Sequence, residues 1–351
     1  MKVFVTGSTG LLGNNLVRQL LAAGHEVTGL TRRAEKFERM LGDTAATAVV
    51  GDMTDVQGFA DAMAGADAVV HTAAYFREYY QSGDHVARLE EINVQGTLSL
   101  MAAADEHGVE AFVHISSAGT IGRRPDGAPG DENTPAGPEQ LKNLYFQSKV
   151  AGDAKIRAHR PSHGMRVVQI LPGWMWGPGD AGPTGAGQIV LDFVDGKFPA
   201  VPFGGTSLVD ARDVAAATIE AISKPHGARY IVGGTYYTLR QIIDHLALET
   251  GRPAPKANLP AWVALTYAHL SEAWARVTGG RAAANVAGVR TMAQEHAVDS
   301  AKALRELNAS FRPLEQTISD VVDWYVRAEM LPSELSFRRR AHRTTASMLE
   351  A

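Results

Sequence analysis

Thr6-Gly7-Ser8-Thr9-Gly10-Leu11-Leu12-Gly13 joins the apolar run Val3-Phe4-Val5 to a helical stretch from about Leu11 to Ala23, closed by Gly24. A strand that turns into a helix through three glycines within the first residues of a chain leaves few folds open. Glycines let the backbone turn tightly and approach a bound pyrophosphate, whose charge is favoured at a helix N-terminus. The spacing is Gly-x-x-Gly-x-x-Gly, one residue wider at its start than the commonest dinucleotide fingerprint. Its position at the head of a strand–helix–strand unit makes it a cofactor loop rather than a plain turn. Gly7, Thr9, Gly10, Leu11, Leu12 and Gly13 are therefore expected at the cofactor.

The chain continues the pattern. Glu26 to Leu30, Ala48 to Val50, Ala68 to His71, Ala111 to Ile115 and Met165 to Leu171 are short, apolar and rich in β-branched residues, with helix-like segments between them. Continuous apolar strands between helices signal a parallel sheet covered on both faces. The expected fold is α/β, a Rossmann doubly wound parallel sheet with a smaller, mostly helical C-terminal substrate lobe. Residues 1–171 are expected to form the dinucleotide-binding domain. Elements near 206–233 (a helix at Arg212 to Ser223, a strand at Arg229 to Val232) would return to its sheet. Residues 172–205 and 234–330 would form the lobe. The tail 331–351 carries Arg338, Arg339, Arg340, His342 and Arg343 and reads as a solvated basic end.

Composition narrows the function. With 34 Lys and Arg against 38 Asp and Glu, the 351-residue chain has a formal net charge of −4, which lacks the basic footprint of a nucleic-acid protein. There is no cysteine, which excludes disulfides, thiolate metal sites and cysteine nucleophiles, and no metal is expected. The N-terminus has no signal-peptide apolar region, and no stretch approaches the roughly 20 apolar residues that span a bilayer. A cytoplasmic protein is the expectation.

At the end of the second strand the sequence reads Leu30-Thr31-Arg32-Arg33. An acid there would accept hydrogen bonds from a ribose 2′-hydroxyl and favour NAD, whereas an arginine pairs with a 2′-phosphate. Arg32, with Arg33 beside it, points to NADP(H), with NAD as the alternative. Further on, Tyr145 and Lys149 lie four residues apart, hence on one face of a helix expected from about Glu139 to His159. A free phenol has a pKa near 10, and a neighbouring ammonium favours its ionised form. Hydride transfer to a carbonyl leaves charge on oxygen, so such a proton donor must already be in place.

The glycine loop, the strand-end run His114-Ile115-Ser116-Ser117-Ala118-Gly119-Thr120 and Tyr-x-x-x-Lys, in that order, resemble the extended branch of the short-chain dehydrogenase/reductase superfamily, the NAD-dependent epimerase/dehydratase family. The resemblance runs from about Lys2 to Tyr325. It implies that Tyr145 is the acid/base and that Lys149 assists it and holds the nicotinamide ribose. Ser117, with Ser116 as the fallback, would bond the reacting oxygen. It also implies that Asp52 meets the adenine, the alternative being a cap for the next helix. Met53, Ala73, Ala74, Pro172 and Gly173 would line the cofactor, and Asn93 would steady the active-site strand. His71 reads as a packed strand histidine.

Members that dehydrate carry Asp-Glu where Ala118 and Gly119 stand here. Members that bind sugar nucleotides carry an asparagine where Trp174 stands and an arginine where Thr206 stands. Both absences favour an uncharged substrate, with Trp174 and Trp176 either an apolar wall or lobe packing. Ser-Ser-Ala-Gly-Thr looks like dihydroflavonol reductases, while Pro183-Thr184-Gly185, Asp192-Phe193, Gly251-Arg252-Pro253 and Asp323-Trp324 look like hopanoid-associated sugar epimerases. The implied activity is reduction of an aldehyde or ketone, or oxidation of the alcohol. An NAD-dependent sugar or nucleotide-sugar epimerase is the alternative, and a non-catalytic dinucleotide sensor a more distant one. The expected partners are a small-molecule substrate and a second copy of the chain in a homodimer.

Overall fold

The computed structural model describes residues 1–76, 79, 83–278 and 286–335. The basic run from Arg338 to Arg343 lies outside them, as do residues 77, 78 and 80–82 of the loop after the fourth strand.

The first half alternates as expected: β1 (Lys2–Thr6), α1 (Leu11–Ala22), β2 (Glu26–Thr31), α2 (Ala34–Leu41), β3 (Thr47–Val50) and, after a 3₁₀ stretch, β4 (Ala68–His71). A single turn, α3 (Val86–Arg88), runs through π-helical turns at Leu89–Gly96 into α4 (Thr97–Glu106), followed by β5 (Ala111–Ile115), α5 (Leu144–Ala158) and β6 (Arg166–Pro172). Next come β7 (Trp174–Trp176), α6 (Gly185–Val194), β8 (Val201–Pro202), β9 (Gly205–Asp210) and α7 (Ala211–Ala221). The chain ends with β10 (Arg229–Val232), β11 (Thr235–Thr238), α8 (Leu239–Thr250), β12 (Asn258–Leu259), α9 (Ala261–Thr278), α10 (Val286–Ala293), α11 (Ala301–Glu306) and α12 (Leu314–Arg327).

Seven strands form one parallel sheet in the order β10-β6-β5-β4-β1-β2-β3. The order reverses between β1 and β4, and in an open α/β sheet that switch point opens the crevice where ligands bind. Both faces are buried as the unbroken apolar runs require. Val3, Val5, Val70 and Val113 share one core with Leu16, Leu20 and Val214, while Phe4, Val69 and Phe112 share another with Leu100 and Met101. Ala303 of α11 and Leu307, its C-cap, join the first core.

The stretch after β6 has more regular structure than its glycines and prolines suggest. β7 pairs with β9, and β9 with β11, in a small separate sheet, while β10 joins the main sheet and α7 packs into the core beside α1. Thr184 caps α6 by accepting from Gly187 N. A third core, with Trp176, Val190, Phe193, Leu246, Val322 and Tyr325, holds the lobe together. Asn15 on α1 donates to the Pro178 carbonyl (2.8 Å) and so ties the lobe to the first helix.

Candidate functional site

Gly7 adopts φ +65°, and a Cβ there would lie 2.7 Å from Thr72 Oγ1 and 2.8 Å from Ala73 N. A side chain at Gly13 would strike the Gly7 carbonyl, so α1 can start this close to β1 only because neither position carries one. Gly10 occupies the N-cap and donates to Gly7 O (2.9 Å). Thr9, Leu11 and Leu12 are buried around the turn. The first turn of α1 has no acidic residue, so its partial positive charge is uncompensated from within. Ala73 and Ala74, half-buried, follow β4 directly across the switch point. A tight turn, small residues opposite it and an uncompensated helix start fit a dinucleotide pyrophosphate.

Thr31 and Val50 are paired at the ends of β2 and β3, which brings Arg32 and Asp52 to one sheet edge. Arg32 and Arg33 are both exposed. Burial works against the charge of the Asp52 carboxyl, but hydrogen bonds from Thr54 and the nearby Arg32 and Arg88 hold it below the usual carboxylate range. Asp52 Oδ1 accepts from Thr54 N (3.0 Å) and Thr54 Oγ1 (2.9 Å), so one of its oxygens shapes the turn. Met53 is buried. At the other strand ends, Pro172 closes β6 and Gly173 N donates to Val232 O (3.0 Å).

The helix bearing Tyr145 starts later than its periodicity predicts. Residues 140–142 form a separate 3₁₀ turn and Asn143 is the N-cap, its Oδ1 accepting from Tyr145 N (3.0 Å) and Phe146 N (3.3 Å). Tyr145 therefore stands in the first turn of α5, buried, with Lys149 one turn on and also buried. Lys149 Nζ lies 5.9 Å from the Tyr145 ring centroid and donates to Ile115 O (2.9 Å), the last carbonyl of β5. Burial brings the Lys149 pKa down to about 8, against the opposing pull of Asp153.

The two serines after β5 separate clearly. Ser116 is buried and donates to Asp153 Oδ2 (2.8 Å). Ser117 is half-buried and accepts only from Gly119 N (3.1 Å) among the described contacts of its side chain. Ser117 is thus the serine whose hydroxyl can meet a ligand, while Ser116 is held by structure. A side chain at Gly119 would run into the Phe146 ring, which explains why a carboxylate has no room there.

Asn93 stands behind Tyr145: its Oδ1 accepts from Tyr75 N (2.7 Å) and its Nδ2 donates to Tyr75 O (3.1 Å) and Ser148 Oγ (3.2 Å). His71 is packed, as expected. Thr97 donates its own proton to Asn93 O (2.9 Å). The ring Nε2–H therefore donates to Thr97 (2.9 Å) while Nδ1 accepts from Thr6 (2.7 Å). Burial and the nearby Lys149 lower its pKa to about 3, so it stays neutral.

Other residues of the site were not legible in the sequence. Asp153, one turn beyond Lys149, is buried and accepts from Ser116 and from Gln169 Nε2 (2.9 Å), with Arg229 NH2 at 3.7 Å. Burial raises its pKa, against these partners. His114 lies 3.8 Å from it, but burial and Lys149 push the His114 pKa well down, so this is a contact with a neutral ring and not an ion pair. Phe76 meets Tyr145 edge-on at 4.9 Å, Tyr79 faces it at 6.5 Å, and Ala287 of α10 packs on the same cluster. In the lobe, Trp176 is fully buried in the core, which is packing, while Trp174 is half-buried and meets it at 5.1 Å. The side chain of Thr206 is buried. Among the described residues no cluster of His, Asp or Glu could hold a metal ion.

The model of the NAD dependent epimerase/dehydratase family matches residues 3–233. The chain belongs to that family. It is an oxidoreductase of the extended short-chain dehydrogenase/reductase type. A Synechocystis sp. protein with the provisional name dihydroflavonol 4-reductase is 34% identical, covering 92% of this chain and 94% of its own. Sterol demethylase protein B of Methylococcus capsulatus is 32% identical, covering 94% and 100%. Among solved structures, the one titled gox2253 superposes with a TM-score of 0.79 at 28% identity, covering 94% of this chain and 99% of its own.

Proposed function

We propose that this family member is an NADP(H)-dependent reductase of an uncharged ketone or aldehyde, or in reverse the dehydrogenase of the alcohol. The observation that carries the reading is the buried pair Tyr145 and Lys149, fastened through Nζ to the last carbonyl of β5. The glycine loop would cradle the pyrophosphate, Asp52 the adenine through its second oxygen, and Arg32 with Arg33 the 2′-phosphate. When bound, the nicotinamide supplies or accepts the hydride. Tyr145 gives its phenolic proton to the carbonyl oxygen in reduction and takes it back in oxidation. Ser117 hydrogen-bonds the same oxygen. The Lys149 ammonium stabilises the phenolate that Tyr145 becomes.

Several features support an uncharged substrate. Aromatic rings crowd Tyr145, and Thr206 offers no charge to a diphosphate. Two relatives carry names from dihydroflavonol and sterol chemistry, in keeping with a ring ketone or alcohol. Exposed small residues on α4 and α5 (Ser99, Ala102, Ala151, Ala154) support a homodimer through paired helices.

The test is NADPH oxidation over a panel of ketones and aldehydes. Tyr145→Phe is expected to lower turnover about a thousandfold with NADPH affinity within about twofold; a variant that keeps most of its activity overturns the assignment. Arg32→Ala should weaken NADPH by about tenfold more than NADH, and equal weakening removes the 2′-phosphate claim. Purification with bound NAD and no net NADPH consumption would favour the epimerase instead.

A further inference from the structure

α9 is inverted relative to an ordinary surface helix. Its buried side is made of Ala264, Ala268 and Ala275, while Trp262, Tyr267, Leu270, Trp274 and Val277 are 56% to 83% exposed. A helix on a globular surface normally points its large apolar residues at the core and its charges at water. Here the one acidic residue, Glu272, is half-buried and accepts from Val286 N (2.8 Å) at the start of α10. The patch continues onto Phe203, 56% exposed, whose backbone N donates to Leu259 O (2.9 Å) just before α9. The exposed segment 251–260 leading into the helix carries Arg252 and Lys256 and no acid.

We propose that α9 is an interfacial helix that seats this protein on an anionic bilayer surface. The residue types match that environment. Trp and Tyr favour the headgroup level, with Leu and Val reaching the acyl boundary and cations meeting anionic headgroups. No helix among the described residues is long and apolar enough to cross a membrane, so the contact lies in the surface plane. α10 links it to the site: Ala287 packs with Tyr145 and Tyr79, and Thr291 Oγ1 accepts from Asn143 Nδ2 (3.3 Å). A substrate dissolved in lipid would reach Tyr145 past this hairpin. That consequence rests on the proposed ketone or aldehyde reductase; the docking does not.

The experiment is cosedimentation of the full chain with vesicles of equal parts phosphatidylcholine and phosphatidylglycerol, beside the double variant Trp262→Ser/Trp274→Ser. Wild type should partition onto these vesicles, and the variant about tenfold or more weakly. Vesicles of phosphatidylcholine alone should bind several-fold less. No partition, or equal partition of the variant, overturns the proposal. So does a dimer that the double variant dissociates in sedimentation velocity while neither protein binds vesicles, because a second copy then covers the face. NADPH oxidation with a water-soluble ketone is measured on both proteins. Vesicle binding without any turnover leaves the docking intact and counts against the proposed NADPH-dependent ketone reductase, and turnover without vesicle binding does the reverse.

Discussion

α5 and α9 are the two longest helices among the described residues, and each carries aromatic side chains, but they use them in opposite ways. α5 turns Tyr145, Phe146, Lys149 and Asp153 inward. Burying such groups is costly unless each finds a partner. Asn143, Ile115 O, Ser116, Gln169 and Arg229 are those partners. α9 turns alanines inward and leaves its tryptophans in water. The first is a tightly determined polar cluster whose parts depend on one another. The second is held by a modest contact with α10, and most of its apolar area is still available to bind something else.

That contrast can be broken at either end. The largest expected effect on stability is at Asp153: replacing it by alanine removes the acceptor of Ser116 and Gln169 and leaves Arg229 poorly compensated. Loss of about 3 kcal/mol of unfolding free energy is expected in urea denaturation. Asp153→Asn, which keeps an acceptor, should lose clearly less; an equally stable alanine variant would mean that the cluster is not interdependent.

The next effect is on pH dependence. Lys149 has its pKa lowered to about 8 by burial, so it is cationic below that pH and neutral above it. If its charge supports the phenolate of Tyr145, the rate of reduction should fall as pH rises through about 8. Asp153 raises the Lys149 pKa, so Asp153→Asn should move the fall to lower pH. A profile unchanged by that substitution would separate the two residues.

The smallest effect is at the other end. Trp262→Ser/Trp274→Ser removes side chains that pack on little, so stability should change by no more than about 0.5 kcal/mol per site. A large drop in Tm would mean that α9 is held by its aromatic face after all.

The glycine loop and the strands were legible because their signals are local. Three glycines at fixed spacing, and apolar runs of three to seven residues bounded by helical periodicity, need no distant partner to be read. The strand Arg229 to Val232 is found where its composition put it, and His71 is as packed as its strand position implied. The Tyr-Lys spacing was equally plain, but the helix boundary was not. The stretch Glu139 to Lys142 carries helical residues, and only Asn143, by capping Tyr145 and Phe146, sets the true start. The small sheet of the lobe was hidden for a similar reason. No local signal marks β7, which exists because β9 arrives beside it from thirty-odd residues later.

The sequence alone determined the parallel sheet, the glycine loop, the family resemblance and the pair Tyr145 and Lys149, because each depends on residue type at short spacing. Tertiary structure alone decided the rest. It turned Ser116 onto Asp153 and left Ser117 half-buried. It gathered Asp153, Gln169 and Arg229 from three separate elements into one buried cluster. It also decided which side of α9 meets water. A helical wheel shows that two faces differ, but only packing against α10 chose alanines for the inside and tryptophans for the outside.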